Sequence, residues 1–307
     1  MNDAVLVSVV LPVREAPGDD VATALRSVLA SELHALEVIL VQNGTPNLSP
    51  ADWASDPRVV TVRLRGSRGT ARPLNVGIAR ARAPYVAFLS PCDLLKPSTL
   101  GAAVEALNRQ PQAGFVFMDF EHVDAGGNVS RRSVTGDSPA LRGLAPAEGG
   151  CYLIPQSQLS RALLAENLVA LSSLVVRRQL LTEIGPFDES ILHCADLDLC
   201  FRLGHRCDAL YCRQVGHARR HGSAEPGPAT SIGAARDRIT VLRRESSRWS
   251  EPAARRQLRR RIGESYAEMG AEERRQQKRL RSIAMFAAAL ATFPQGRWLR
   301  GLLRSVL

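Results

Sequence analysis

The first ninety residues alternate between two hydrophobic rhythms. Val5–Pro12 (VLVSVVLP) is an unbroken apolar, β-branched run, as expected for a strand covered on both faces of a parallel sheet. Asp19 or Asp20 can then open a helix to about Ala30, with Val21, Leu25, Val28 and Leu29 on one face. Glu37–Val41 (EVILV) predicts a second strand, stopped by the turn pair Asn43-Gly44, and Arg58–Leu64 (RVVTVRL) predicts a third. Gly69–Arg82 reads as a helix with Pro73 in its first turn, and Pro84–Leu89 (PYVAFL) as the next strand. This alternation predicts an α/β fold built on a doubly wound, mostly parallel sheet. Ligands of such sheets bind past the carboxyl ends of the strands, which singles out Pro12–Glu15, Gln42–Thr45 and Ser90–Asp93.

Further along, the pattern predicts a helix at Pro97–Asn108, a strand at Gly114–Phe120, a hairpin turn at Asp124–Asn128 and a mobile loop at Gly136–Gly150. Leu168–Val176 reads as another strand and Ala195–Gly204 as a short helix. From Thr230 the period is helical: Leu258, Ile262, Tyr266 and Met269 share one face, and Trp298, Leu302 and Val306 another. Charge sharpens that boundary. Residues 1–235 carry 22 Lys and Arg against 23 Asp and Glu, whereas residues 236–307 carry 18 against 7, so the whole excess of the +10 chain lies in the tail. The expected division is a ligand-binding and catalytic domain over residues 1–229 and a basic α-helical extension over 230–307. The longest apolar run, Ile283–Phe293, has 11 residues, short of the roughly 20 a membrane span needs. With no secretory leader in the pattern, a cytoplasmic location is expected. The tail leaves three readings: a stripe packed on the core or on a second copy, a peripheral contact with an anionic membrane at its inner face, and, more weakly, nucleic acid, which lacks any accompanying motif. Six cysteines with no Cys-x-x-Cys pair read as buried free thiols rather than a disulfide framework or a structural zinc site.

Three places carry candidate chemistry. Asp93 follows a strand directly, where a carboxylate meets a ligand or caps a helix. Asp196 and Asp198 open a helix and diverge on it, so one can face a cleft while the other caps or pairs. His221 lies in the basic run Arg219-Arg220-His221, as a metal or phosphate ligand or as an exposed loop residue.

The ordered segments resemble the inverting family-2 glycosyltransferases with the GT-A fold. Val7–Val13 (VSVVLPV) is similar to that family's first strand, Glu37–Thr45 (EVILVQNGT) to its EIIVVDDGS, and Gly69–Arg82 (GTARPLNVGIARAR) to its GxxxARNxGIxxAxG. Tyr85–Leu94 (YVAFLSPCDL) resembles YIAFLDSDDL, Ser172–Glu189 resembles the segment ending GGFDE, and Ala195–Leu203 (ADLDLCFRL) resembles EDYDLWLRL. The resemblance covers about residues 5–225. It implies an inverting hexosyltransferase-like activity, moving a sugar from a nucleoside-diphosphate sugar, UDP-linked first of all, to a hydroxyl on a glycan, lipid-linked or small-molecule acceptor. It implies Asp196 as catalytic base, and Pro12, Val13, Glu15, Asn43, Arg72, Cys92 and Asp93 as donor-binding residues. Asp93 and His221 are implied as ligands of a divalent Mn²⁺ or Mg²⁺ held against the diphosphate. The chain departs from the family pattern in Gln42-Asn43, which replace two acids, in Ser90 and Cys92 of the acidic motif, and in Ala195. The alternative reading is therefore a non-catalytic relative that binds nucleotide or serves as a scaffold.

Overall fold

The structure, a computed structural model, describes residues 4–14, 18–44, 55–124, 126–142, 144, 148–220 and 232–306. Its first half runs β1 (Val7–Val13), α1 (Gly18–Leu29), β2 (Leu36–Asn43), β3 (Val59–Leu64), α2 (Ala71–Arg80), β4 (Tyr85–Phe88), β5 (Asp93–Leu95) and α3 (Thr99–Arg109). Next come β6 (Ala113–Val123), β7 (Val129–Arg131), β8 (Cys151–Ile154), α4 (Gln156–Ala165), β9 (Leu174–Arg177), α5 (Arg178–Ile184), α6 (Ala195–Gly204) and β10 (Asp208–Arg220). The strands join in the order β3-β2-β1-β4-β9-β6-β10-β5, with β7 on β6 and β8 on β10. Pairing is parallel among β1 to β4 and between β6 and β10, while β5, β7, β8 and β9 enter antiparallel.

Alternation along the strands builds the two faces. Val7, Val9 and Leu11 point to α1 and α3, where Val21, Leu25, Leu100 and Leu107 are buried with them. Val10, Ile39, Phe88 and Phe117 face the opposite layer, with α2, α4 and α6. Gly77 lets α2 sit close to β1: a Cβ there would lie 2.2 Å from the Val10 side chain. Glu37 is the polar exception inside this apolar frame. Its carboxylate accepts from Ser8 Oγ at 2.7 Å and from the Arg82 amide and Nε, both at 2.9 Å, tying β1 and β2 to the segment that enters β4. Burial pushes this carboxyl up, but the Ser8 and Arg82 interactions outweigh it and hold it below its ordinary value.

Several expectations need correction. The strand expected over Leu168–Val176 shrinks to β9, because a 3₁₀ turn at Leu171–Ser173 interrupts it; Leu168 and Val169 stay buried without strand pairing. The expected mobile loop Gly136–Gly150 contains 3₁₀ turns at Pro139–Leu141 and Glu148–Gly150, and Leu141 belongs to the main core. Residues 143 and 145–147 of it lie outside the described set. Cys151 and Cys212 form a disulfide, contrary to the free-thiol reading. They are directly paired on antiparallel β8 and β10, a proximity that 61 residues of separation conceal from the sequence. Cys92, Cys194, Cys200 and Cys207 are not in disulfides.

The extension comprises α7 (Ile232–Ser246), α8 (Pro252–Arg275), α9 (Arg279–Thr292) and α10 (Gly296–Val306). Its first two helices join the main core through Ile239, Leu242, Leu258 and Ile262, packed with α4 and α6. Arg261 reaches into α4, donating to the Leu163 carbonyl at 2.6 Å. The last two form a separate cluster on α8 around Phe286, Ala289 and Trp298. Among the described residues, no helix is long and apolar enough to cross a membrane.

The Glu37 node yields a stability prediction. Glu37→Ala should cost roughly 1–3 kcal/mol at neutral pH, because it leaves the Ser8 hydroxyl and the Arg82 amide unpaired in the interior. A carboxyl held low in the folded state stabilises fully above its unfolded value of 4.5, and that contribution is lost as pH falls through the folded value. Urea unfolding at neutral and acid pH should therefore show the gap between variant and wild type narrowing in acid.

Candidate active site

Pro12, Val13, Asn43, Cys92 and Asp93 lie at or just past the carboxyl ends of β1, β2 and β4, the last two in or beside a short turn. Ser90, Pro91 and Cys92 connect β4 to β5, and the Asp93 amide closes the turn on the Ser90 carbonyl at 3.0 Å. Arg220 clamps this turn from β10: its amide donates to the Cys92 carbonyl at 3.2 Å and Nη2 to the Pro91 carbonyl at 3.0 Å. Its other nitrogen pairs with Asp20 of α1 at 3.0 Å. Three segments far apart in sequence are thus held as one wall.

Asp93 stands behind that turn and is 2% exposed. Antiparallel pairing of β5 with β10 sets Arg219 opposite it, with Nε 3.6 Å from Oδ1. Ser172, whose oxygen accepts the Ser90 amide at 3.1 Å, also hydrogen-bonds this carboxylate. Burial raises the Asp93 pKa, and the charge of Arg219 and the Ser172 hydroxyl pull the other way. Arg219 lies over the Phe120 ring at 4.9 Å, and Phe120 stacks on His217 at 4.8 Å. His217 is fully buried, neither ring nitrogen has a hydrogen-bond partner, and burial pushes its pKa down to about 3.

Asp196 occupies the first turn of α6, where amide groups point at an anion. The residue is half-buried, yet its carboxyl is desolvated, which raises the pKa; its own and the Leu197 amides, then Arg219 and Arg238, act against that rise. The charge of Arg219 acts to lower the pKa of both acids, and of the two it is paired with Asp93. Asp198, two residues further along α6, pairs with Arg202 at 2.8 Å. The loop entering α6 is set by the extension: Asp237 of α7 accepts the Leu192 and His193 amides at 2.9 and 2.8 Å. On the other flank Asn75 of α2 exchanges hydrogen bonds with the Phe187 backbone, both at 2.9 Å, joining two motifs more than a hundred residues apart.

The remaining expected residues divide by location. Pro12 and Val13 end β1 at this wall, half-buried and buried respectively, and Arg72 is exposed on the first turn of α2. Cys92 is buried in the turn. Asn43 ends β2, but its side chain is engaged with Ser67, accepting that amide at 2.6 Å and donating to its carbonyl at 2.9 Å. Glu15 and His221 lie outside the described residues. Sequence reasoning noted Arg219 only as one cation in a basic run and gave no role to His217 or Ser172; the β5–β10 register brings the first two to Asp93, and the 3₁₀ turn before β9 brings Ser172.

The donor set bears on the divalent ion that the resemblance implies. Among the described residues, no three His, Cys, Asp or Glu side chains come together as a metal site. Asp93 is a single buried carboxylate with a guanidinium on one oxygen, and its neighbour His217 Nε2, at 3.8 Å, lies in a fully packed interior. Among the described residues, Asp93 is thus the one implied ligand present, short of the several oxygen ligands that Mn²⁺ or Mg²⁺ takes; His221 lies outside them.

Residues 8–146 match the model of the family described as Glycosyl transferase family 2. That segment of the chain is thus similar to the family-2 glycosyltransferases. The O-antigen biosynthesis protein RfbC of Myxococcus xanthus is 28% identical over 227 residues, covering 69% of this chain and 16% of that protein. The succinoglycan biosynthesis protein ExoO of Rhizobium meliloti is 34% identical over 89 residues, covering 28% of this chain and 26% of that one. The chain thus spans a minor part of either relative. Among solved structures, S. aureus TarS 1-349 superposes with a TM-score of 0.62 at 13% identity, covering 94% of this chain and 81% of that segment. The same TarS segment in complex with UDP-GlcNAc gives 0.62 at 12% identity, over 94% and 82%. The fold is of the GT-A type, with C-terminal helices present.

The raised Asp196 pKa sets the sign of a second prediction. A carboxyl raised in the folded state stabilises fully below its unfolded value of 3.8, and that contribution disappears as pH rises through the folded value. At neutral pH the ionised group is therefore a net cost, and Asp196→Asn should melt at or above the wild-type temperature. A variant several degrees less stable would show that the Asp196 carboxylate is structural.

Proposed function

We propose that this chain transfers a sugar from a nucleoside-diphosphate sugar to a hydroxyl-bearing acceptor with inversion. The observation that carries the reading is the desolvated Asp196 carboxyl in the first turn of α6, together with the Asp93–Arg219 pair just past β4, where an α/β sheet binds its ligand. The family similarity of residues 8–146 supports transferase chemistry, and the TarS complex with UDP-GlcNAc supports a UDP-linked donor.

Asp196 acts as general base in this reading. Its desolvated carboxylate, raised in pKa, takes the proton of the acceptor hydroxyl as that oxygen bonds to the anomeric carbon. The bond from that carbon to the diphosphate breaks on the opposite face, so configuration inverts and the electron pair leaves on phosphate oxygen. That developing charge needs a fixed counter-charge. Arg219 supplies it: held over Phe120 and against Asp93, its guanidinium remains part-exposed to the cleft. Asp93 positions Arg219. Pro12, Val13 and Arg72 border the donor, while Asn43 shapes the nucleobase end through Ser67. Residues 1–229 form the donor-binding and catalytic unit, and residues 230–307 a basic helical extension that braces the base through Asp237.

Two measurements test this. Asp196→Asn should lower transfer by about 10²–10⁴-fold while leaving donor affinity nearly unchanged, since a base acts in the transition state. Release of nucleoside diphosphate from a panel of UDP-sugars, beside calorimetric donor binding, separates the two effects. Donor binding without any release by the wild type would instead favour the scaffold reading. Arg219→Ala should weaken UDP-sugar binding roughly 10- to 100-fold, as expected for losing a charge-assisted contact of about 1.5–3 kcal/mol. A chelator should leave wild-type donor affinity in place; if chelation abolishes binding and Mn²⁺ restores it, a divalent ion and not Arg219 carries the diphosphate charge.

A further inference from the structure

The helix α10 presents two faces of different kinds. Trp298 and Ser305 point inward and are buried, with the Trp298 ring so close to α8 that a Cβ on Gly263 would lie 2.7 Å from it. Gly301 fits against the Phe286 ring in the same way, at 2.4 Å. This inward face already completes the packing of α10. The outward face nevertheless carries Leu299, Leu303 and Val306, exposed by 49%, 54% and 47%, at spacings of four and three along one stripe. Arg279 donates to the Ser305 carbonyl at 3.0 Å and Ser282 contacts Ser305 at 2.8 Å, joining the start of α9 to the end of α10. Leu280, 82% exposed, therefore stands at the same end of the hairpin as Val306.

Charge selects the occupant of this stripe. From Arg274 to the last residue the chain has eight Lys and Arg and no Asp or Glu. Arg281, Arg300 and Arg304 are exposed beside the leucines, whereas Arg297 is engaged with Glu264 at 3.1 Å. A second copy of the chain would bring the same cations against these, at a repulsive cost. Nucleic acid offers phosphate but no apolar phase for four exposed aliphatic side chains. A bilayer rich in anionic lipid offers both, with the aliphatic side chains entering the interface and the guanidinium groups at headgroup level.

We propose that the outward face of α10, with Leu280, is a docking surface for an anionic membrane. The inserting residues are Leu280, Leu299, Leu303 and Val306, and Trp298 is excluded because it is structural. Four aliphatic side chains and a handful of cations give weak, reversible attachment that depends on both components. The electrostatic part decays within a Debye length of about 8 Å at physiological salt.

The test uses the full chain and vesicles of phosphatidylglycerol mixed with phosphatidylcholine, beside pure phosphatidylcholine. Co-sedimentation should occur with the anionic vesicles only and fall by about tenfold or more between low and high salt. Leu299→Gln with Leu303→Gln should reduce it by a similar factor, and so should Arg300→Gln with Arg304→Gln. Both double variants should keep the wild-type melting temperature, because none of the four side chains is buried. Equal binding to both vesicle types, no binding, or leucine variants that bind as wild type overturns the proposal. So does a sizing profile in which the wild type is a dimer that the leucine variants dissolve while vesicles bind neither.

Discussion

Asp93 lies beneath the floor of the cleft with a guanidinium on one of its oxygens, and the surrounding elements are arranged so that neither group can leave. The acid is delivered by a three-residue edge strand and the cation by β10, whose pairing register sets Arg219 opposite Asp93. The backbone of the turn before the acid is gripped by Arg220, and the oxygen of Ser172 is shared between the Ser90 amide and the carboxylate. A buried carboxylate without its partner is among the most costly single defects a fold can carry, of the order of 3–5 kcal/mol when one member of a pair is removed. The pair therefore constrains more than itself. It requires β5 to enter antiparallel at the end of a sheet whose first half is parallel, and it requires Phe120 and His217 to stack beneath the guanidinium. The electrostatic centre of the cleft is a consequence of strand register.

Those features differ sharply in how far the sequence discloses them. The helix Ala195–Gly204 is readable to its exact bounds, because an acidic first turn, a helical period and a closing glycine agree. The strands β1, β2 and β4 are equally plain, since continuous β-branched runs of that length have few other uses. The strand expected at Leu168–Val176 was too long because apolar content marks burial, and Leu168 and Val169 are buried without being paired. The disulfide between Cys151 and Cys212 has no spacing pattern at all, being created by adjacent positions on β8 and β10. The places of Asp93 just past a strand and of Asp196 in the first turn of a helix were legible in the pattern. Arg219 stood there only as one cation of a basic run, and the β5–β10 pairing is what sets it opposite Asp93. Asn43 shows the converse: its motif position suggests a ligand contact, while its amide is held by the backbone of Ser67.

The basic tail is likewise two things that composition merges into one. The helices α7 and α8 contribute Ile239, Leu242, Leu258 and Ile262 to the main core, and Asp237 and Arg238 act on the segment around Asp196. This part is continuous with the layer of α4 and α6, and its arginines largely engage carboxylates or carbonyls, as Arg238 does with Glu268 and Arg261 with Leu163. The helices α9 and α10 touch the rest through α8 and hold the acid-free run of cations. Periodicity gave Trp298, Leu302 and Val306 one face, but packing separates them: Trp298 is buried and Val306 is exposed. A helix can present a continuous apolar arc wider than one neighbour covers, so the remainder of the arc is a surface and not part of the core.

The replaced acids at positions 42, 43, 90, 92 and 195 suggest decay when each is counted alone, but their electrostatic setting points elsewhere. Removing negative charge from the cleft lowers the need for a strongly bound cation to offset it. A guanidinium already fixed there can then face the negative diphosphate with less competition from protein carboxylates. Asp196 is the residue that a pure scaffold explains least well. Its ionised form is desolvated and so costs stability at neutral pH, and the helix amides and two arginines only partly offset that cost. A surface that merely binds a partner gains nothing from a carboxylate in that state, whereas a proton acceptor gains basicity from it.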